Sequence, residues 1–159
     1  MCCEEFEEYI PCQVTLTGIG KVEHLDNAGS VPVAPVGGVV SRQAYMLRIP
    51  LDFEYEKETV EGTYYEYILT DTIANIQIIS LTAYDESHPA GTDVNELFMN
   101  YPLRQEDQLT DYKYGYMYGT VFYKIPRTLP QSGVHRFKVV VTTRKGEEFT
   151  KETDEITMQ

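Results

Sequence analysis

Three histidines are the side chains of this sequence best suited to acid–base chemistry, and His24, His88 and His135 lie far apart along the chain. The chain contains neither the His-Glu-x-x-His pattern of zinc hydrolases nor the Gly-x-Ser-x-Gly turn of serine hydrolases. Ser87, His88 and Asp85 supply the residue types of a catalytic triad, but residues this close in sequence rarely adopt triad geometry. The sequence therefore contains no catalytic motif, and we expect this loop to be held by its own turn hydrogen bonds.

The same loop carries oxygen atoms of the kind that calcium prefers. Asp85, Ser87 and Asp93 are hard ligands, although they lack the spacing of an EF-hand loop. Aspartates in such positions also form turns and cap helices. We expect no cofactor, with a calcium site built from these three residues as the alternative. A metal-assisted hydrolase that uses residues 85–93 is the corresponding alternative function.

Tyrosine is the most distinctive residue type, with 13 Tyr against 6 Phe and no Trp. Four tyrosines recur at every second position: Tyr112, Tyr114, Tyr116 and Tyr118. An extended chain would place all four rings on one face, where they could stack on sugars or receive a peptide strand. Because Tyr is a good strand former, a tyrosine face partly covered by its own sheet is the alternative. Tyr64, Tyr65 and Tyr67 form a second aromatic group with the same two alternatives.

The elements that must position these residues are strands. Apolar and polar residues alternate along Cys12–Ile19, 43–54 and 134–143, whereas a helical period hardly appears. The alternation places Tyr45, Leu47 and Ile49 on one face of the second stretch, and Phe137, Val139 and Val141 on one face of the third. We interpret the strongest apolar run, residues 74–84, as a central strand. About seven such strands, without a helix long enough for a crossover, predict an all-β fold. The expected architecture is an antiparallel immunoglobulin-like or fibronectin III-like sandwich that ends in a hairpin turning at Lys145-Gly146.

Breaks in the alternation predict the remaining elements. Residues 26–42 are rich in Gly and Pro and predict a long loop along a sheet edge. Pro50 interrupts a strand and should lie at an edge or a bulge, because proline cannot donate to a ladder. Asp93, followed three residues later by Glu96, resembles a capping box and predicts one short helical turn near residues 93–99.

Charge and hydropathy exclude two classes of protein. The 159 residues carry a formal net charge of −12, with scattered lysines and arginines, so we expect no nucleic-acid partner. No run of 18 or more apolar residues is present that would predict a membrane-spanning helix.

The N-terminus resembles that of a mature bacterial lipoprotein. Cys2 and Cys3 precede four carboxylates in five residues, which predicts a lipid on one cysteine and an acidic tether over residues 1–10. Residues 11–159 would then form a single β-sandwich domain. The sequence does not choose between the two cysteines, and an incidental pair in a cytosolic protein is the alternative. Cys12 either pairs with the remaining cysteine or opens the first strand as a small apolar residue.

Three stretches carry a resemblance to small lipoproteins of the Bacteroides type, in a family whose domain has no known function. They are the initial Cys-Cys-Glu-Glu, the strand at residues 43–49, and residues 80–98, which include His-Pro-Ala-Gly-Thr-Asp. The resemblance implies a lipid-anchored protein at the outer membrane or cell surface and gives no site. The expected function is a binding or interaction module for a glycan, a peptide or an envelope protein. A purely structural envelope component is a further alternative.

Overall fold

Strands account for nearly all the regular structure in residues 8–102 and 119–159, which are the residues that the structure, a computed structural model, describes. Their bounds are β1 Ile10–Ile19, β2 Glu23–Asp26, β3 Val39–Val40, β4 Tyr45–Tyr55, β5 Tyr65–Leu69, β6 Ile73–Ser80, β7 Phe98–Asn100, β8 Val121–Pro126, β9 Gly133–His135, β10 Phe137–Thr143, β11 Glu148–Glu152 and β12 Ile156–Met158. In these ranges the helical segments are short 3₁₀ turns at Val36–Gly38, Arg42–Ala44 and Asn95–Leu97. The all-β prediction is confirmed.

The strands form sheets that pack as a sandwich. A six-stranded sheet has the order β5-β1-β4-β8-β7, with β2 also paired to β4. Two three-stranded sheets have the orders β11-β10-β6 and β3-β12-β9. The pairings are antiparallel except for β1 with β5 and β3 with β12. The strand count exceeds the predicted seven because the sequence alternation continues through breaks such as Arg136, where β9 ends and β10 begins.

The core lies between the inward faces of these sheets. As predicted, β4 contributes Tyr45, Leu47 and Ile49, and β10 contributes Phe137, Val139 and Val141. All six side chains are almost completely buried. The predicted terminal hairpin is also confirmed: β10 and β11 pair antiparallel, and Gly146 supplies the positive φ, 93°, that the tight turn between them requires.

Pro50 lies in the middle of the six-stranded sheet, so of its two predicted positions the edge is wrong, whereas the strands opposite it do contain an irregularity: residues 20–22 lie opposite Ile49 and Pro50. The physical reason is a gap in the neighbouring strands: β1 ends and β2 begins opposite Pro50. The Pro50 carbonyl accepts a hydrogen bond from the Gly20 N–H at 2.8 Å, and no donor from proline is needed across the gap. A Cβ on Gly20 would lie only 3.1 Å from Pro50 Cγ, so glycine leaves room for the ring.

The apolar run that predicted a central strand forms β6, which lies at the side of its sheet, with β10 in the middle. The outer edge of β6 is covered by the predicted loop and helical turn, where a central strand would have a second neighbouring strand. The Ser80 N–H donates to the Thr92 carbonyl, and the Val94 N–H donates to the Ile78 carbonyl. The run is apolar because both its inner face and its edge are covered. The predicted helical turn is present as the 3₁₀ segment Asn95–Leu97.

Candidate binding site

Two of the predicted sites lie outside the described residues. The tyrosine row Tyr112–Tyr118 and the paired cysteines Cys2 and Cys3 therefore remain sequence predictions. Cys12 is described: it is a free cysteine with no exposed surface, at the third position of β1. Of the two alternatives for Cys12, a disulfide partner or a small apolar residue in the first strand, its position agrees with the second.

The structure uses the polar atoms of the 85–93 loop to build its turns. Asp85 Oδ1 accepts hydrogen bonds from His88 Nδ1–H at 2.6 Å and from the Ser87 amide at 2.9 Å. Asp93 Oδ1 accepts from the amides of Ile78 and Asn95. The bond from His88 is the main cause that lowers the pKa of Asp85.

The hydrogen bonds of the loop do not form a catalytic triad, and its calcium site stays a prediction. Among the described residues, no group of three or more His, Cys, Asp or Glu side chains is placed to hold a metal ion. Ser87 meets Asp85 through its backbone N–H, so the contact orients a turn and activates no hydroxyl.

The other two histidines belong to a buried aromatic cluster. His135 is completely buried and stacks on Phe137, with ring centroids 6.2 Å apart and planes 10° apart. Its Nε2–H donates to the Gln131 carbonyl at 2.6 Å, while its buried Nδ1 has no partner. His24 Nε2–H donates to the Asp154 carbonyl, so neutral His24 accepts the Tyr45 hydroxyl at Nδ1. Burial is the main cause that lowers the pKa of both imidazoles.

These lowered pKa values predict that the protein loses stability in mild acid. Because the folded pKa of each imidazole lies below its ordinary 6.5, the unfolded chain takes up protons first as the pH falls. The stability that the two neutral imidazoles contribute is fully present above about pH 6.5 and is lost as the pH falls toward their lowered pKa values. Urea unfolding midpoints between about pH 7.5 and pH 5 should show this loss.

A histidine variant checks the cause. His135→Gln should lower the midpoint at neutral pH but reduce its further fall in acid. The matched control is His88→Gln, at a partly exposed histidine, which leaves His24 and His135 in place and should keep the loss that they cause. An unchanged acid profile in His135→Gln would show that another group causes the loss.

The described residues form an open groove on one side of the sandwich. It has a volume of about 920 Å³ and lies where β4 ends. Residues 53–59 form one side, and Tyr67 with residues 119–120 completes the lining. Concave surfaces with aromatic walls and a few fixed polar groups are typical of binding sites.

Strand register explains why two tyrosines distant in sequence meet in this groove. On one side of β1, Val14 pairs with Tyr55 of β4; on the other side, Cys12 pairs with Tyr67 of β5. The side chains of directly paired residues share a face, so both rings stand on the core face of the sheet. Their centroids lie 5.5 Å apart at an interplanar angle of 79°. Tyr55 is still 40% exposed, so the aromatic surface continues past the core into solvent.

The second aromatic group of the sequence extends this surface. Tyr65 stacks on Tyr67, with centroids 6.0 Å apart and planes 24° apart. The Tyr65 hydroxyl accepts from the Val60 N–H and donates to the Glu58 carbonyl. Tyr65 therefore ties the loop after β4 to the strand that follows it.

Further hydrogen bonds fix the rim of the groove before any ligand arrives. The Glu56 carboxylate accepts a hydrogen bond from the backbone N–H of Gln13, with 3.0 Å between Oε2 and N. The Glu56 N–H donates in turn to the Gln13 carbonyl. Lys57 Nζ donates to the Pro11 carbonyl at 2.7 Å. A pre-formed rim lowers the entropy cost of binding.

The groove lies in the acidic part of the chain. Residues 51–70 contain six carboxylates and one lysine, a formal charge of −5. The ammonium group of that lysine, Lys57, donates a hydrogen bond to a backbone carbonyl. The ion pairs seen in the described residues lie elsewhere: Arg48 with Glu23, His88 with Asp85, and Arg136 with Glu152. Within residues 8–102 and 119–159, no ion pair neutralises the carboxylates of the groove, which favours cationic ligands.

Sequence reasoning identified only part of this site. The group at residues 64–67 was visible as a run of tyrosines, whereas Tyr55 and the rim at residues 56–59 gave no separate signal. Their participation depends on β5 pairing parallel to β1, which places β5 beside a strand more than 40 residues earlier in the chain. No local pattern specifies that pairing.

Fold and groove together define an all-β sandwich protein with an acidic, tyrosine-lined surface site. Residues 20–154 match the family described as Domain of unknown function (DUF5034), and the chain belongs to that family. Comparison with curated proteins found no match, and comparison with solved structures found none either. In the described ranges, no helix has the length and apolar character needed to cross a membrane.

Proposed function

We propose that this protein is a binding module of the cell envelope that holds a glycan, a peptide or a segment of a partner protein in the tyrosine-lined groove. The observation that carries the proposal is the pre-ordered pair of rings, Tyr55 and Tyr67, at the open end of the sheet. Aromatic faces bind sugars and peptides by stacking and by burying apolar surface. The 85–93 loop offers no comparable surface, because its carboxylates serve its own turns.

The burial of the two rings supports a role in binding as well as in packing. Tyr67 packs against the core, whereas Tyr55 leaves two fifths of its surface in solvent. Burial is also the main cause that raises the pKa of Tyr55, and the protonated hydroxyl can donate a hydrogen bond at neutral pH. Tyr55 therefore offers a ligand both an apolar face and a polar group, as tyrosines at interfaces commonly do.

Substitution of the exposed ring tests this proposal. The purified protein should be retained on a panel of immobilised glycans and peptides, and Tyr55→Ala should weaken that binding about 30-fold. This corresponds to about 2 kcal/mol for a central aromatic contact. Tyr9→Ala is the matched control, because Tyr9 is an exposed tyrosine outside the groove lining. Equal retention of wild type and Tyr55→Ala would place the contact surface elsewhere, and no retention would favour the purely structural role.

We further propose that the module is lipid-anchored at the outer membrane or cell surface through Cys2 or Cys3. The proposal is supported by the cysteine pair, the acidic run that follows it and the resemblance to Bacteroides-type lipoproteins. A multiply acylated cysteine would provide stable anchoring, since each buried methylene contributes about 0.8 kcal/mol.

Metabolic labelling tests the anchor. The protein made from its own gene in growing cells should incorporate labelled palmitate and partition into detergent. Replacing both Cys2 and Cys3 by Ser should abolish the label, whereas Cys12→Ala should retain it, because Cys12 is buried in β1. Label that survives the double replacement would refute the anchor.

A further inference from the structure

Strand β5 leaves one row of backbone groups without a partner in the described part of the chain. It is the outermost strand of the six-stranded sheet and pairs only with β1. The Tyr64 carbonyl and the Thr70 N–H both bond to β1. Because backbone groups alternate in direction along a strand, the N–H and C=O groups of Tyr65, Tyr67 and Leu69 point away from β1. These outward groups form an open edge.

In the part of the chain that the structure describes, the edge lacks the features that usually prevent pairing with another chain. Proteins protect exposed edges with proline, lysine, bulges or a covering segment. The sequence of β5 is Tyr-Glu-Tyr-Ile-Leu, with a single charged residue and no proline or glycine. Its pairing with β1 is regular over five residues and shows no bulge. This open edge also carries Tyr67 into the groove.

Charge identifies the kind of chain that fits this edge. Glu54, Glu56 and Glu58 line the groove into which β5 carries Tyr67, and Glu66 lies in β5 itself. A second copy of this protein would bring the same negative charge to the contact and be repelled. A segment with Lys or Arg at every second position would place its cations over the faces of Tyr65 and Tyr67 and near the groove carboxylates.

We propose that β5 receives an extended, basic segment of another protein as an added strand of the six-stranded sheet. This inference rests on the proposed function and deepens it, since it selects a peptide among the ligand classes of the groove. Main-chain hydrogen bonds to Tyr65 and Tyr67 supply affinity, and the tyrosine faces and carboxylates select the basic side chains.

Synthetic peptides with the full protein test the inference. The probe is a fluorescent peptide of about eight residues with alternating Thr and Lys, long enough to span β5. We expect saturable binding that weakens with salt and is absent for the matching Thr-Glu peptide. N-methylation of the alternate amides that face β5 should weaken binding about tenfold or more, whereas N-methylation of the other amides should not.

A proline substitution tests the edge from the protein side. The Tyr67 N–H points outward, so Tyr67→Pro removes a donor to the added strand and leaves the β1 ladder intact. Tyr67→Pro should bind the Thr-Lys peptide about tenfold more weakly than Tyr67→Ala, which lacks the same ring but keeps the N–H. Equal affinity of the two variants, or of the two N-methylated peptides, would overturn strand addition.

The remaining outcomes separate this inference from the function on which it rests. Binding of a panel glycan that requires Tyr55, with no binding of the Thr-Lys peptide, would overturn strand addition and leave the proposed function standing. Failure of both would overturn both. Self-association in sedimentation experiments that Tyr67→Pro abolishes would identify a second copy as the occupant and overturn the basic segment.

Discussion

Replacing Phe137 by alanine should destabilise the protein by about 3–5 kcal/mol, the usual cost of removing a buried ring. Phe137 has no exposed surface. Its ring lies within 6.5 Å, centroid to centroid, of five others: His24, Tyr45, Tyr84, Phe98 and His135. The six rings come from all three sheets and from the segment that follows β6, so the cavity would open where those layers meet.

Thermal unfolding measures this effect. A loss of that size should lower the melting temperature by about 6–20 °C in a domain of this length. The matched control is Val134→Ala, three residues earlier in the chain and 48% exposed, which should change the melting temperature little. A Phe137→Ala protein that melts close to wild type would show that the cluster is not the centre of the core.

Thr153→Val should destabilise the protein by about 1–3 kcal/mol although the two side chains have nearly the same shape. The Thr153 hydroxyl accepts the buried Phe137 N–H at 3.0 Å and donates to the Asp154 carbonyl at 2.9 Å. The Thr153 N–H in turn donates to the Phe137 carbonyl. Valine would leave the Phe137 N–H without an acceptor just where β10 begins.

The control for this prediction is Thr157→Val, on β12 and partly exposed. Urea unfolding midpoints should fall for Thr153→Val and stay near wild type for Thr157→Val. Equal midpoints for Thr153→Val and wild type would mean that water or a shifted backbone satisfies the Phe137 amide.

The sequence predicts the inner faces of the strands well because alternation depends only on which side is buried. This is why the inward residues of β4 and β10 could be named in advance. Alternation does not specify which strands become neighbours, since any strand with a buried face has the same period. The apolar run of β6 therefore predicted a central strand, whereas a loop at residues 91–94 covers its edge.

The groove illustrates the same limit at the candidate site. Tyr65 and Tyr67 were noticeable as neighbours in sequence, but their contact with the end of β4 depends on the parallel pairing of β1 with β5. Pro50 is a second case, because its place in a middle strand depends on the gap between β1 and β2. Both features arise from non-local pairing, which local patterns do not encode.

The central claim is that the protein binds through the groove beside β5, and residue-resolved NMR titration tests it most directly. The titrant is the glycan or peptide of the panels that the purified protein retains most strongly. The amide signals of residues 53–59 and 65–69 should shift and saturate together, while those of residues 85–93 stay in place. Shifts confined to residues 85–93, with the groove signals unchanged, would contradict the account.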